Sequence, residues 1–440
     1  MARTAANIPA GMRVADHITL GVLTTQFPRE LVEQVLFETE RVSERERDLP
    51  AHVMVYFAIA LALYPDVATR EVLRCLVEGA RWLGDPARPR IPTRSGISQA
   101  RSRLGAAPLE ALYRAVVAPV AVEGTPGAWY RGWRVMSLDG TTLDVSDTPE
   151  NTCAFDRPGS SRGVNATGAF PQLRLVALVE HGTHALCAAQ LGPYATHEVT
   201  LAADVVPSLT GDMLCLADRG VPGFDLFQQA RATGAALVWR AKASQRLPVL
   251  EPFPDGSYRS EIRWNSHCQS QERTPIPVRV VACTLPGTAD AAVVYRLVTT
   301  ILDAARAPAA DLARLSHERW EIETAFDEFK THLRGGQRVL RSKTPALVQQ
   351  EAWGLLLAHF ALRALMHEAA LGALPRARAP DTLSCVHVVR VTRRTLSHLA
   401  AIPPSGPAAL ARRTPTRTAR GDGELQPRSP RPARRQARDE

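Results

Sequence analysis

Between residues 134 and 240 the chain alternates short apolar runs with amphipathic segments, and that alternation restricts its fold more than any other feature. Residues 134–138, Arg-Val-Met-Ser-Leu, form a short apolar strand that ends on Asp139-Gly140, and residues 142–145 alternate as its neighbour. Residues 172–179 and 185–191 supply two more strands, and residues 198–209 a helix. The apolar run 213–217 then ends on Asp218-Arg219-Gly220, followed by a helix around residues 224–232 and a strand over 236–240. Strands in alternation with helices specify an α/β sheet covered by helices.

Asp139 and Asp218 occupy the same kind of position. Each follows a buried strand and lies close before a glycine, so each carboxylate is fixed by the sheet yet exposed at its edge, where open sheets build their sites. A strand-end Asp is also a common cap or turn former, and either one alone supports no more than that. The third carboxylate lies in Arg319-Trp320-Glu321-Ile322-Glu323-Thr324-Ala325-Phe326-Asp327-Glu328-Phe329-Lys330. On a regular helix Arg319, Glu323, Phe326 and Lys330 fall at roughly 0°, 40°, −20° and 20°, one narrow stripe, whereas Glu321 points about 200° away. A surface helix with i,i+4 ion pairs has the same pattern. Taken with the two strand-end acids, the stripe reads as the third arm of one site. Asp139, Asp218 and Glu323 would hold two divalent cations about 4 Å apart, one activating the attacking oxygen and one stabilising the leaving oxygen. Arg319 and Lys330 would grip phosphate oxygens beside them.

The flanking regions are of other kinds. Residues 1–17 read as flexible and residues 18–123 as a helical domain, with Leu31, Val32, Val35 and Leu36 on one stripe and an apolar helix over 51–64. Residues 98–104 and 108–117 read either as a helix-turn-helix that offers Arg101 and Arg103 to a major groove, or as a structural helix pair. Residues 128–402 form the second domain, interrupted over about 241–300 by strands and turns and helical again from residue 309. The Pro/Arg-rich tail 403–440 reads as disordered. It carries nine Arg against four acids, so +5 of the formal +9 charge sits there. A basic balance favours polyanionic partners. The seven cysteines are scattered without a CxxC pair, as in a reduced cytosolic protein. The longest apolar run, residues 53–64, is too short to span a bilayer, so a membrane is not among the expected partners.

Leu138-Asp139-Gly140-Thr141 with Asp147-Thr148-Pro149-Glu150-Asn151, then Leu216-Ala217-Asp218-Arg219-Gly220, then Arg319-x3-Glu323-x6-Lys330, resembles the DDE transposases of the insertion-sequence-four group. The similarity runs from about residue 20 to residue 399. It implies a mixed α+β or α/β fold: a helical N-terminal DNA-binding domain, then a ribonuclease-H-like catalytic domain with a β-rich insertion between the second Asp and the Glu. That family's signature is Tyr, Arg, Glu and Lys separated by two, three and six residues. Ser316 stands here at the Tyr position, which keeps a hydroxyl but shortens the reach to the DNA backbone.

By the resemblance, Arg319 and Lys330 bind phosphates near the cleaved end, with Ser316 and Arg219 among the DNA contacts. An aromatic of the insertion, Trp264 or Tyr295, stacks on a flipped base, although a Trp in a small β unit is also ordinary core. The implied activity is transposition: binding the terminal inverted repeats of an insertion sequence, nicking, and joining the 3′ ends to target DNA. Two Mg²⁺ ions serve it, with Mn²⁺ as a substitute. A homodimer bridges the two ends, and the protein is cytoplasmic and nucleoid-associated. Two alternatives stay open, another ribonuclease-H-like nuclease and a catalytically silent DNA-binding protein derived from a transposase.

Overall fold

The computed structural model describes residues 20–43, 49–80, 92–158, 170–218, 223–264, 274–284, 294–334, 339–371 and 379–395. Residues 1–17, Arg219 and the tail 403–440 lie outside the described residues. Helices come first: α1 (Leu20–Gln26), α2 (Arg29–Glu38), α3 (Ala51–Leu63), α4 (Thr69–Ala80), α5 (Arg94–Leu104) and α6 (Ala107–Val116). Thr93 begins α5 by accepting from the Gly96 N–H, the side-chain cap that a Thr before a helix supplies. The sheet region follows with β1 (Trp129–Tyr130), β2 (Trp133–Asp144), α7 (Pro149–Phe155), β3 (Gln172–Glu180), β4 (Leu186–Pro193), α8 (Glu198–Val205), β5 (Met213–Ala217), α9 (Phe224–Ala232) and β6 (Ala236–Arg240). Then come β7 (Glu251–Pro252), β8 (Tyr258–Ile262), β9 (Ile276–Thr284), β10 (Val294–Thr299), α10 (Ala309–Glu318), α11 (Trp320–Asp327), a π-helical turn (Glu328–Leu333), α12 (Pro345–Leu371) and α13 (Cys385–Thr395).

One sheet holds these strands in the order β4-β3-β2-β5-β6-β10-β9-β8-β7, with β1 paired to β2. The pairs β4/β3 and β3/β2 are antiparallel, while β2/β5 and β5/β6 are parallel. Three antiparallel strands joined to two parallel ones make the ribonuclease-H-like half. Residues 142–145 are not a separate neighbour of the first strand, as their alternation suggested. Residues 142–144 continue β2, with β3 paired along it from Met136↔Glu180 to Asp144↔Gln172, and Val145 makes an isolated bridge to Leu340.

The strands of residues 241–300, expected as an insertion of strands and turns, join the main sheet. β10 pairs antiparallel with β6 through Leu297↔Arg240, Val298↔Trp239 and Thr299↔Val238, so the insertion extends the main sheet. The buried strand β6 would otherwise present a row of unpaired N–H and C=O groups at an open edge.

The N-terminal helices share one apolar core with α11, α12, α13 and one face of the sheet. Helix α3 is buried continuously from Met54 to Leu63, as a helix without a polar face must be. Its main cover is α12, which is long and apolar enough to cross a bilayer by length and composition. The most apolar window of α12 is 89% buried within the protein, the mark of a core helix. The two helices touch at Gly354, where a Cβ would stand 2.6 Å from the Ala58 carbonyl oxygen. Backbone on a packed helix cannot step aside, so Gly354→Ala is expected to destabilise the protein by about 1–3 kcal/mol. A thermal melt reads this, and an unchanged midpoint would contradict the close approach.

Candidate active site

Parallel pairing of β2 with β5 runs from Arg134↔Met213 to Leu138↔Ala217, and the next residue on each chain is an acid. The register therefore sets Asp139 and Asp218 side by side where the parallel ladder ends. Beyond that point β2 is held by β3, with Asp139 opposite Ala177. Asp139 thus lies inside a continuous strand rather than at a strand end, and Asp218 is the first residue after β5.

Glu323 comes from α11, but the single regular helix expected over residues 319–330 is broken twice. Arg319 is the junction between α10 and α11 (φ −54°, ψ −19°), and Glu328–Leu333 is a π turn. A π turn takes in an extra residue and rotates the chain beyond it, so a 100° repeat does not place Lys330. Its ammonium instead reaches β2 and donates to Thr141 Oγ1 at 2.9 Å.

The Arg319 guanidinium joins the three acids. Nη1 lies 3.4 Å from Asp139 Oδ2, and Nη2 lies 3.7 Å from both Asp218 Oδ2 and Glu323 Oε1. Arg240 Nη1 approaches Asp218 Oδ1 at 3.4 Å, while its guanidinium covers the Tyr295 ring at 3.8 Å. The side chains of Asp139 and Asp218 are 24% and 29% exposed, against 70% for Glu323, so the strand acids are fixed and the helix acid faces outward. Burial raises the pKa of Asp139, with Asp218 and Glu323 adding to the rise; the Gly140 N–H and Arg319 oppose it. The donor set is carboxylate oxygen, which suits hard divalent cations, and one cationic group already lies among the three acids. These residues fit a divalent-cation site.

A cleft of about 180 Å³ opens beside these acids, lined by Asp218, Arg240, Tyr295, Ser316, Arg319 and Glu323, among others. The structure thus brings Ser316 and Tyr295 to the site. Trp264 is not among the lining residues. It meets Phe224 edge-on at 5.5 Å, a packing contact.

Arg101 does not serve as a groove-reading side chain. It is buried, donating to Gln350 Oε1 at 2.9 Å and Ser342 Oγ at 3.0 Å, and so ties α5 to α12. Arg103, two residues on, is exposed. Arg240 escaped the sequence reading although its signal matched that of the two Asp residues, a charged group ending a short apolar strand.

Glu321 points away from Arg319, as the helical angles required, but into the protein. Only 13% exposed, it accepts the Gly182 N–H at 3.0 Å and lies 3.5 Å from His181 Nδ1. His181 Nε2 is in turn 2.6 Å from Ser137 Oγ, on the strand that carries Asp139. A separate group, Glu328, His332 and Cys385, has ligand atoms within 4.8 Å of one another. Glu328 there is already paired with Arg363 and bonded to His184 Nδ1 at 2.9 Å, so its charge is answered within the protein.

Residues 131–361, more than half of the chain, match the family described as Transposase DDE domain, and residues 17–114 match Insertion element 4 transposase N-terminal. By that match the chain is a DDE transposase. Within that class the chain belongs to the insertion-element-4 family. It is similar to Transposase InsG for insertion sequence element IS4 of Escherichia coli (strain K12), 28% identical over 339 residues, which cover 76% of this chain and 74% of that protein. Putative transposase InsZ of the same organism is 26% identical over 239 residues, 54% of this chain and 74% of that protein. Among solved structures, the cryo-EM structure of the piggyBac transposase synaptic complex with hairpin DNA aligns at a TM-score of 0.41 and 9% identity, over 97% of this chain and 90% of that one.

Proposed function

We propose that this DNA transposase binds the terminal inverted repeats of its insertion sequence, cleaves there to expose 3′ hydroxyls, and joins them to target DNA, with Asp139, Asp218 and Glu323 as the metal-holding acids. The observation that carries this reading is the convergence of those three carboxylates, from β2, the end of β5 and α11, on one guanidinium. Two divalent ions bound there, Mg²⁺ or Mn²⁺, would activate the attacking oxygen and stabilise the leaving oxygen. The chain itself does the holding. Arg319 and Arg240 lie against the acids as cations suited to phosphate oxygens, Lys330 stands at Thr141 on the strand that carries Asp139, and the Ser316 hydroxyl lines the same cleft as Arg319 and Arg240. The face of Tyr295 stacks on a base once Arg240 moves off it. Arg103 and Arg219 add DNA contacts, and the basic tail contributes salt-sensitive affinity that does not depend on sequence. A homodimer holding two ends, at work on the nucleoid in the cytoplasm, completes the reading.

The test uses purified full-length protein, a duplex carrying one inverted repeat of the element, and a supercoiled target, with and without Mg²⁺. The expected result is a metal-dependent nick at the repeat boundary followed by a joined product. Cutting without joining would instead mark a nuclease of another kind. DNA binding with neither product would mark a silent binder.

A further inference from the structure

The turn between β3 and β4, residues 181–185, is buried throughout, whereas connections mostly run over the surface, where water satisfies their backbone. Its course is fixed. Gly182 has a φ of +72°, and a Cβ there would collide with the Pro126 carbonyl oxygen, so the turn is wedged against the segment that leads into β1. From this turn polar groups reach the helical stretch on both sides of Glu323. The Gly182 N–H donates to Glu321 Oε2 at 3.0 Å, and His181 Nδ1 lies 3.5 Å from the same oxygen. Beyond Glu323, His184 Nδ1 is 2.9 Å from Oε2 of Glu328, the first residue of the π turn. The other His181 nitrogen, Nε2, is 2.6 Å from Ser137 Oγ, two residues before Asp139 on β2. One short chain of polar contacts thus links the helix of Glu323 to the strand of Asp139.

Glu323 does not fix its own position, for its side chain is 70% exposed and meets only Arg319 among the described ion pairs. Helix α11 is 8 residues long, with a junction before it and a π turn after it, so continuity with a long helix does not set its rotation. Ile322, Ala325 and Phe326 are buried, but apolar burial is non-directional and tolerates small slides and rotations. Hydrogen bonds are directional. We propose that Glu321 is a positioning residue: seated on the Gly182 N–H and His181, it sets the rotation of α11 and thereby the place at which Glu323 meets Asp139 and Asp218. The inference rests on the metal-dependent reading above.

The experiment follows single-turnover nicking of an end-containing duplex by the full-length chain as Mn²⁺ is titrated, at a temperature below every melting midpoint. It compares wild type, Glu321→Leu, Glu321→Gln and Glu323→Gln. Glu321→Leu fills the space without an acceptor. It is expected to lose about a hundredfold in rate and to need more Mn²⁺ for half its maximal rate, with DNA binding in chelator unchanged. Glu321→Gln, which still accepts the Gly182 N–H, is expected to recover to within about tenfold of wild type. Should Glu321→Leu not fold, His181→Leu takes its place, with an expected loss of about tenfold and the same shift in Mn²⁺ dependence. A folded Glu321→Leu or His181→Leu that lowers only the melting midpoint, at wild-type rate and Mn²⁺ dependence, would overturn the positioning role and leave these contacts to stability alone. Equal losses in Glu321→Leu and Glu321→Gln would also overturn it, since the carboxylate would then be needed for its charge. Wild-type cleavage by Glu323→Gln would instead remove Glu323 from the site, and this inference with it.

Discussion

Asp139→Ala and Asp218→Ala are each expected to slow cleavage of end DNA by about a thousandfold or more, equivalent to about 4 kcal/mol of lost transition-state stabilisation. Binding of the same DNA in the absence of metal should stay within a few fold, because Arg319, Arg240 and Lys330 remain. The two positions should behave alike, since the β2/β5 register sets them side by side at the end of one ladder. Stability should move the other way. Burial and the neighbouring acids raise the Asp139 pKa, so the metal-free fold holds its charge less well than water does. Asp139→Asn keeps the shape and removes that like charge, and its melting midpoint without metal is expected to equal or exceed that of the wild type, as at other sites where function is kept at the expense of stability. Rates are read in single-turnover nicking with Mg²⁺ and again with Mn²⁺. Cleavage that survives either alanine substitution, in a protein shown to be folded, would remove these acids from the site.

The parts of this architecture that were legible in the chain are those that local pattern controls. Short apolar runs ending on Asp139 and Asp218 located two strands, because burial on both faces leaves little but apolar residues. The helical angles turned Glu321 away from Arg319 and kept Glu323 beside it, as the ion pairs have them. What failed depended on partners distant in sequence. Alternation in residues 142–145 shows a strand but not whether it is new or the continuation of an old one; only the pairing with β3 decides that. Arg101 reads as a surface cation in a short basic helix, and nothing nearby discloses that Gln350 and Ser342 enclose it. The place of Lys330 depends on a π turn, for which the sequence around residue 328 carries no recognisable signal.

The two glutamates of α11 make the second large prediction. Glu323→Gln is expected to lower cleavage about a thousandfold and leave the melt unchanged, since its side chain is 70% exposed and touches only Arg319 among the described ion pairs. Glu321→Gln should retain cleavage within about tenfold, though not because the residue is solvated, for it is buried. Burial pushes the Glu321 carboxyl up to about 7. His181 and His184 beside it are pushed down to about 3 by their own burial, so they are neutral and offer no positive charge. Gln resembles the protonated acid and still accepts the Gly182 N–H.

Proton counts set the sign of the pH dependence. Between the unfolded value of 4.5 and about 7 the folded protein keeps a proton that the unfolded chain has released, so wild-type stability falls as pH rises across that window. The Gln variant has no such proton. Its stability relative to wild type should therefore rise from pH 5 to pH 8, by on the order of 1 kcal/mol or more, as measured by paired denaturant melts at the two pH values. A constant difference would mean that Glu321 stays charged in the fold. Inactive Glu321→Gln beside active Glu323→Gln would exchange the two acids, and with them the face that α11 turns toward Asp139 and Asp218.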